Sequence, residues 1–256
     1  MSQPIRELPL PDGGKIAYRQ RRGKSSESRG GTSPGVLFCG GFHSTMEGTK
    51  ATCLDGWAAR TGRDYVRFDY RGHGASSERF EDGTIGDWFS DARAVLDRVC
   101  GAPQIIVGSS MGAWMALLLA RERPELVTGL VLLAPAPDFP RKLLWAGLAD
   151  AAKAVLERDG LWHRPSEFGE DPYPITMRLI EESAAHEILD GPPIAFGGPV
   201  RILHGLKDVV VPLAHAARCL AAVMSEDVLL TVSKSGDHRL STEADLKRMI
   251  AAVEGM

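Results

Sequence analysis

The chain has 256 residues, of which 44% are hydrophobic and 25% charged, and its formal net charge at pH 7 is −3. Such a composition is typical of a globular protein with a sizeable core. The charges form no basic stripe and no run of eighteen apolar residues occurs, so we expect neither a nucleic-acid partner nor stable insertion in a membrane.

The N-terminus and the cysteines bear on cellular location. The first residues, MSQPIRELPLPDGG, lack the charged-then-apolar pattern of a signal peptide and are interrupted by prolines. The cysteines are scattered without a CxxC pair, which predicts free thiols in a reducing compartment; they are Cys39, Cys53, Cys100 and Cys219. Both observations predict a cytoplasmic protein.

The first predicted elements are two strands, at about 5–10 and 15–20, joined by a turn at Asp12-Gly13-Gly14. A Gly/Ser-rich stretch follows at 23–35 and predicts a surface loop.

Beyond this loop, short apolar runs alternate with amphipathic segments. The apolar runs predict buried strands at 36–40, 65–70, 104–108, 130–134, 200–205 and 228–233. The amphipathic segments predict helices at 51–61, 85–99, 111–122, 213–223 and 242–254. This alternation is typical of a parallel sheet covered by helices on both faces. The predicted fold class is therefore α/β, with a doubly wound, mostly parallel sheet that binds its ligand beyond the carboxyl ends of the strands.

One connection is too long for a simple crossover. Helical patterns lie at 143–158 and at about 174–189 within it, and long featureless loops are uncommon in compact domains. We therefore expect an α/β core at 1–136 and 200–256, with a helical cap at 137–199. A peripheral decoration with no role at the site is the alternative. Some apolar residues could line a pocket under the cap, although packing in the core is the favoured interpretation of each; they are Trp114, Phe139, Trp145, Trp162 and Met177.

A candidate nucleophile lies in the sequence Gly108-Ser109-Ser110-Met111-Gly112, which follows a predicted strand and precedes a predicted helix. In this strand–turn–helix context GxSxG places the serine on a tight turn, where the glycines prevent collisions between neighbouring side chains. We predict Ser110 as the nucleophile.

A serine hydroxyl needs a base, and this fold places the base in a loop after the last strand. His238 follows the strand predicted at 228–233 and is the predicted base. Asp208, in the loop after the strand predicted at 200–205, is the predicted acid that orients the imidazole. Asp138, after the strand predicted at 130–134, is the alternative acid, and Asp237 is expected to point away from His238.

An oxyanion requires backbone N–H donors. The predicted donors are Met111, directly after the nucleophile, and Phe42, in the glycine-containing loop after the strand predicted at 36–40. The Gly-rich turn at 69–76 could bind phosphate, but no P-loop pattern accompanies it. A structural turn that braces the rim of the active site is the favoured interpretation.

Several of these segments together closely resemble the α/β-hydrolase superfamily: DYRGHGAS (69–76), GSSMG (108–112), HGLKDVVVP (204–212) and SGDHR (235–239). A narrower resemblance, carried by 41–51, 67–70, 108–114 and 204–208, is to the subgroup that includes a palmitoyl-protein thioesterase and acyl-glucuronide esterase. Gly40 departs from the pattern, since a proline or histidine more often precedes the oxyanion glycine. The absence of a mitochondrial presequence favours a cytosolic enzyme.

The residues and the resemblance predict an enzyme that cleaves carboxylic esters or acyl thioesters through an acyl-enzyme intermediate. Its expected partner is a small-molecule ester or acyl thioester, or an acylated protein, and no cofactor or metal is expected, since the histidines show no HExxH spacing. The alternatives are carbon–carbon bond hydrolysis or perhydrolysis with the same triad, or a non-catalytic ligand-binding protein.

Overall fold

The computed structural model of the protein describes residues 3–23, 33–165 and 172–256. Most of the loop predicted at 23–35 lies outside the described residues. The strands are β1 (Arg6–Pro9), β2 (Lys15–Arg21), β3 (Gly35–Cys39), β4 (Tyr65–Phe68), β5 (Gln104–Ser109), β6 (Val127–Leu133), β7 (Leu161–Arg164), β8 (Tyr173–Thr176), β9 (Val200–Gly205) and β10 (Val228–Ser233). The α-helices are α1 (Thr49–Thr61), α2 (Ile85–Val95), α3 (Met111–Glu122), α4 (Asp150–Asp159), α5 (Met177–Glu182), α6 (Leu213–Ala217) and α7 (Glu243–Glu254).

The main sheet has the strand order β1-β2-β4-β3-β5-β6-β9-β10. The pairs β1–β2 and β2–β4 are antiparallel, and all pairs from β4 to β10 are parallel. The predicted fold class, a mostly parallel α/β sheet, is confirmed.

Helices cover both faces of the sheet, which is why the central strands are apolar without alternation. Val36 and Phe38 of β3 pack in one cluster with residues of α1 and α7. Leu37 and Cys39 of the same strand pack in the opposite cluster with residues of α2 and α3. The core therefore consists of two layers, one on each face of the sheet.

The insertion between β6 and β9 differs from its prediction in two places. The helix predicted at 143–158 is interrupted: a helical turn at Pro140–Trp145 ends before Ala149, whose extended backbone begins α4. Gly147 is the last helical residue before this break, which falls at Leu148 and Ala149, and glycine is a poor helix former.

The second difference is a two-stranded antiparallel sheet of β7 and β8, at the start of the helix predicted for 174–189. Pro174 lies in β8 and lacks the N–H of a helix interior, whereas an edge strand tolerates it. The hydroxyl of Thr176 then accepts a hydrogen bond from the Leu179 N–H and begins α5. Within residues 3–23, 33–165 and 172–256, no helix is long and apolar enough to cross a membrane.

Candidate active site

Ser110 lies on a strained turn between β5 and α3. Its φ is 54° and its ψ is −114°, a combination that L-residues rarely adopt. A side chain at Gly112 would overlap the backbone of Cys39, and a side chain at Gly108 would overlap the backbone of Gly112. The two glycines of the motif are therefore required by close backbone approach. The Ser110 N–H donates to the carbonyl of Leu133 at 2.8 Å and ties the turn to β6.

Ser110, His238 and Asp208 form one continuous chain of hydrogen bonds. His238 Nε2 lies 3.1 Å from Ser110 Oγ, and His238 Nδ1 lies 2.8 Å from Asp208 Oδ2. The last residues of β9 and β10 are paired in register, Gly205 with Ser233, so the loops that follow them are neighbours. The structure thus brings together the three residues that the sequence indicated for nucleophile, base and acid.

The environment of Asp208 favours its ionised form. Its side chain is fully buried, and its Oδ1 accepts the N–H groups of Val210 and Val211 at 2.9 and 2.8 Å. Burial by itself would raise the pKa of Asp208, but the hydrogen bonds from His238 and from these two amides bring that pKa below its ordinary value. An ionised Asp208 accepts a hydrogen bond from the N–H at His238 Nδ1. With the ring proton held at Nδ1, His238 Nε2 is free to accept the proton of Ser110 Oγ.

The alternative acid, Asp138, has a different role. It is fully buried with a φ of 57°, and its two carboxylate oxygens accept the N–H groups of Ile188 and Leu189 at 2.9 and 3.0 Å. Asp138 therefore fastens the end of the insertion to its beginning. Asp237 accepts the Arg239 N–H at 3.0 Å, within its own turn.

The loop after β3 runs beside Ser110. A β-carbon at Gly41 would lie 3.5 Å from Ser110 Cβ, so the backbone there passes the nucleophile in van der Waals contact. In the described part of the chain, neither the Phe42 N–H nor the Met111 N–H donates to a protein acceptor. Both remain predicted oxyanion donors, and the geometry leaves both amides available for that purpose.

A cavity of about 560 Å³ contains Ser110 and His238. The insertion contributes residues to its wall, namely Phe139, Leu143, Leu144, Arg164 and Tyr173. Of the five apolar residues considered from the sequence, Phe139 is among the lining residues of this cavity. Trp145 and Trp162 pack instead in a small cluster within the insertion, with Leu156 and Ile175.

The sequence did not indicate the contribution of His43 or of Lys50 to this cavity. The His43 ring stacks on Tyr173 of β8, with centroids 5.5 Å apart. Lys50 donates to the Arg239 carbonyl, and burial lowers the pKa of Lys50 to about 8. The signal in the sequence is weak: His43 and Lys50 follow Gly41 by two and nine residues, and their contacts come from distant elements.

Comparisons with known proteins agree with this arrangement. The model of the serine aminopeptidase S33 family matches residues 33–167. Palmitoyl-protein thioesterase ABHD10, mitochondrial, is 35% identical in Bos taurus and 34% identical in Homo sapiens, in each case over 97% of this chain and 78% of the relative. The solved structure of a putative hydrolase from Agrobacterium vitis S4 has 39% identity and a TM-score of 0.90, covering 99% of both chains. Mouse alpha/beta hydrolase domain-containing protein 10 has 32% identity and a TM-score of 0.87, covering 98% of this chain and 97% of its own.

The chain therefore belongs to the α/β hydrolases, in the serine aminopeptidase S33 family. It is a hydrolase of esters or thioesters, similar over nearly its whole length to palmitoyl-protein thioesterases. The resemblance noted from the motifs is confirmed.

The predicted cytoplasmic location is contradicted, because the relatives matched over 97% of the chain are named as mitochondrial proteins. The prediction was based on the first residues and on unpaired cysteines. Cellular address is read from a targeting segment by its receptor and is independent of the folded domain, so these features could not decide it.

Proposed function

We propose that this protein hydrolyses acyl thioesters and esters in two steps, through an acyl-enzyme intermediate on Ser110. The observation that carries the proposal is the continuous hydrogen-bond chain from Asp208 through His238 to Ser110 Oγ, at 2.8 and 3.1 Å. Both distances are within the range for proton transfer by a positioned base.

In the first step, Ser110 Oγ attacks the carbonyl carbon of the substrate while His238 Nε2 takes the hydroxyl proton. The carbonyl oxygen becomes an oxyanion, for which the N–H groups of Phe42 and Met111 are the proposed donors. The tetrahedral intermediate then collapses, its bond to the leaving sulfur or oxygen breaks, and the leaving group takes the proton from His238. The product is a thiol or an alcohol, with the acyl group left on Ser110.

In the second step, a water molecule gives a proton to His238 Nε2 and attacks the acyl-enzyme carbonyl. The second tetrahedral intermediate collapses with return of the proton to Ser110 Oγ and release of the carboxylic acid. Asp208 stays ionised throughout and stabilises the imidazolium form of His238 in both steps.

We further propose that residues 137–199 form a cap that binds the acyl chain above a core of 1–136 and 200–256. The apolar side chains of Phe139, Leu143 and Leu144 belong to the cavity that contains Ser110. Burial of each methylene of an acyl chain there would favour binding by about 0.8 kcal/mol. The names of the relatives as palmitoyl-protein thioesterases support a fatty acyl thioester as substrate.

A fluorophosphonate probe and a panel of substrates test this function. The wild-type protein is expected to react with the probe at Ser110 and to cleave p-nitrophenyl esters and acyl-CoA thioesters. Ser110→Ala is expected to abolish both labelling and turnover, and Ser109→Ala is the matched control because it removes the adjacent hydroxyl of the same motif. Labelling that persists in Ser110→Ala, or moves to Ser109, would refute the assignment of the nucleophile.

A further inference from the structure

Two hydrogen-bonded ties connect the turn after β4 to the loop after β3, which carries the proposed oxyanion donor Phe42. The first is the buried Asp69, whose carboxylate accepts the Met46 N–H at 2.6 Å and the Ala75 N–H at 2.9 Å. The second is His73, whose Nε2 lies 3.2 Å from the backbone nitrogen of His43. The second tie is at the residue directly after Phe42.

The contacts of His73 determine which ring nitrogen carries the proton. A backbone N–H can only donate, so Nε2 must be the unprotonated acceptor for His43. The proton is then on Nδ1, which lies 3.2 Å from the carbonyl oxygen of Arg71. Burial lowers the pKa of His73 to about 4, despite the opposing effect of the Arg71 carbonyl, so the ring is neutral at neutral pH.

The ring of His73 is also held in place by packing. It is 4% exposed. Its centroid lies 5.6 Å from that of Tyr70, 5.0 Å from that of Phe80 and 5.3 Å from that of Trp88. A ring surrounded by aromatic side chains keeps its orientation, so the acceptor at Nε2 stays directed at the His43 N–H.

The His43 N–H belongs to the peptide unit that joins it to Phe42. His43 has a φ of 58°, in the left-handed region that residues other than glycine seldom adopt. A fixed peptide plane at 42–43 fixes ψ of Phe42, and the Phe42 side chain is held 4.9 Å from the Phe80 ring. The direction of the Phe42 N–H therefore depends on the hydrogen bond that His73 accepts.

We propose that His73 is a positioning residue for the oxyanion-binding loop, which fixes the 42–43 peptide through Nε2 and so directs the Phe42 N–H at the substrate carbonyl oxygen. The inference rests on the proposed function, because it assumes that the oxyanion forms beside Ser110. Among the described residues that line the cavity with Ser110, His73 does not occur.

The test compares two substitutions of His73, of which only one keeps a hydrogen-bond acceptor. His73→Phe keeps an aromatic ring but has no acceptor, whereas His73→Gln offers an amide oxygen near the position of Nε2. We expect His73→Phe to lower kcat on a p-nitrophenyl ester by about 10- to 100-fold with an unchanged KM, less than the roughly 10²- to 10³-fold effect of removing an oxyanion donor outright. His73→Gln is expected to recover kcat to within about fivefold of wild type, because its oxygen can accept the same N–H.

An alkyl boronic acid is the second readout, since its tetrahedral adduct on Ser110 places an oxygen where the oxyanion forms. Its inhibition constant is expected to rise in His73→Phe by the same factor as kcat falls. If His73 had a purely structural role, His73→Phe would lower the melting temperature, but the rise in the inhibition constant would not match the fall in kcat. The matched control is His215→Phe, because His215 is also buried and hydrogen-bonded, to the Pro137 carbonyl at 2.7 Å. Within the described residues, no hydrogen bond joins the His215 side chain to the loop after β3.

A measurement on the wild-type protein keeps the inference testable if His73→Phe does not fold. The 15N chemical shifts of His73 are expected to be those of the Nδ1–H tautomer, and an Nε2–H tautomer would overturn the proposal. So would a folded His73→Phe with wild-type kcat and wild-type boronate affinity. Failure of the proposed function is distinguished from these results, because then the wild-type protein itself would show no turnover dependent on Ser110.

Discussion

The sheet core and the insertion between β6 and β9 hold their functional residues by different means. In the core, Asp208 and His238 follow adjacent parallel strands, and Ser110 follows β5, so the sheet itself sets their separation. In the insertion, β7 and β8 have only four residues each, and β7 has no fully buried residue. Within the insertion, the buried Asp138 joins distant parts of the segment by accepting the N–H groups of Ile188 and Leu189.

This difference suggests that the core and the insertion affect different properties of the enzyme. The chemical step depends on distances that the strands fix, and errors of about 1 Å there are costly to the rate. In the proposed function, the acyl chain needs only apolar surface of suitable length, which short elements with a small core of their own can supply. We therefore expect substitutions in the core to change kcat, and substitutions in the insertion to change stability or chain-length preference.

Among the substitutions that compare the two regions, Asp208→Asn has the largest expected effect. The amide favours the wrong tautomer of His238, and kcat is expected to fall by about 10⁴-fold with the fold intact. Steady-state kinetics on a p-nitrophenyl ester, with circular dichroism as a check of folding, would measure it.

Asp138→Asn is the counterpart in the insertion. It removes the charge that accepts two N–H groups, and it should lower the free energy of unfolding by about 1–3 kcal/mol with little change in kcat. If Asp138→Asn had the larger effect on kcat, the assignment of Asp208 as the acid and the comparison of the two regions would both be wrong.

The second prediction concerns pH and a histidine buried in the core. Burial lowers the pKa of His73 from 6.5 to about 4, so the unfolded chain takes up a proton before the folded one does. The contribution of the neutral, buried His73 to the free energy of unfolding is complete above pH 6.5 and is lost as the pH falls towards 4. The free energy of unfolding changes by about 3 kcal/mol over this range, at 1.36 kcal/mol per pKa unit.

Urea unfolding at pH 7 and pH 4.5 would measure this contribution. His73→Gln does not titrate, so it should lose about 2–3 kcal/mol less stability than wild type over that interval. His204 and His215, whose pKa values burial also lowers, remain in both proteins. Equal losses in wild type and variant would show that His73 is not buried as a neutral group.

The smallest expected effect concerns two neighbours in the helical turn Pro140–Trp145. Leu143 lines the cavity with Ser110, whereas Trp145 lies against Lys153, whose Nζ is 5.6 Å from the Trp145 ring centroid. Leu143→Ala should change the preference between esters that differ by one methylene by about fourfold, the equivalent of about 0.8 kcal/mol. Trp145→Ala, the matched control, should leave that preference unchanged. A shift in Trp145→Ala alone would place the acyl chain on the other side of the turn.

Prediction from sequence succeeded where a local pattern has one structural solution. The strand predicted at 200–205 is β9, and the helix predicted at 111–122 is α3, with the same bounds in the structure. Both are buried apolar segments bounded by glycine or by the GxSxG turn. In the insertion the patterns were weaker. One predicted helix ends just after Gly147. The pairing of β7 with β8 joins residues that are not sequence neighbours, so no local pattern predicted it.

The sequence by itself determined the fold class and the turn that carries Ser110, because strand periodicity and the steric demands of Gly108 and Gly112 act between near neighbours. Only the tertiary structure shows which of Asp208 and Asp138 contacts His238, because that contact joins residues 30 positions apart and the contact of His238 with Ser110 joins residues 128 positions apart. It also decided that His73 accepts the His43 N–H, that Leu143 rather than Trp145 lines the cavity, and how the insertion folds. Each of these features depends on side-chain packing between elements that are distant in the chain. The order of the residues alone does not give the distance between such elements in space.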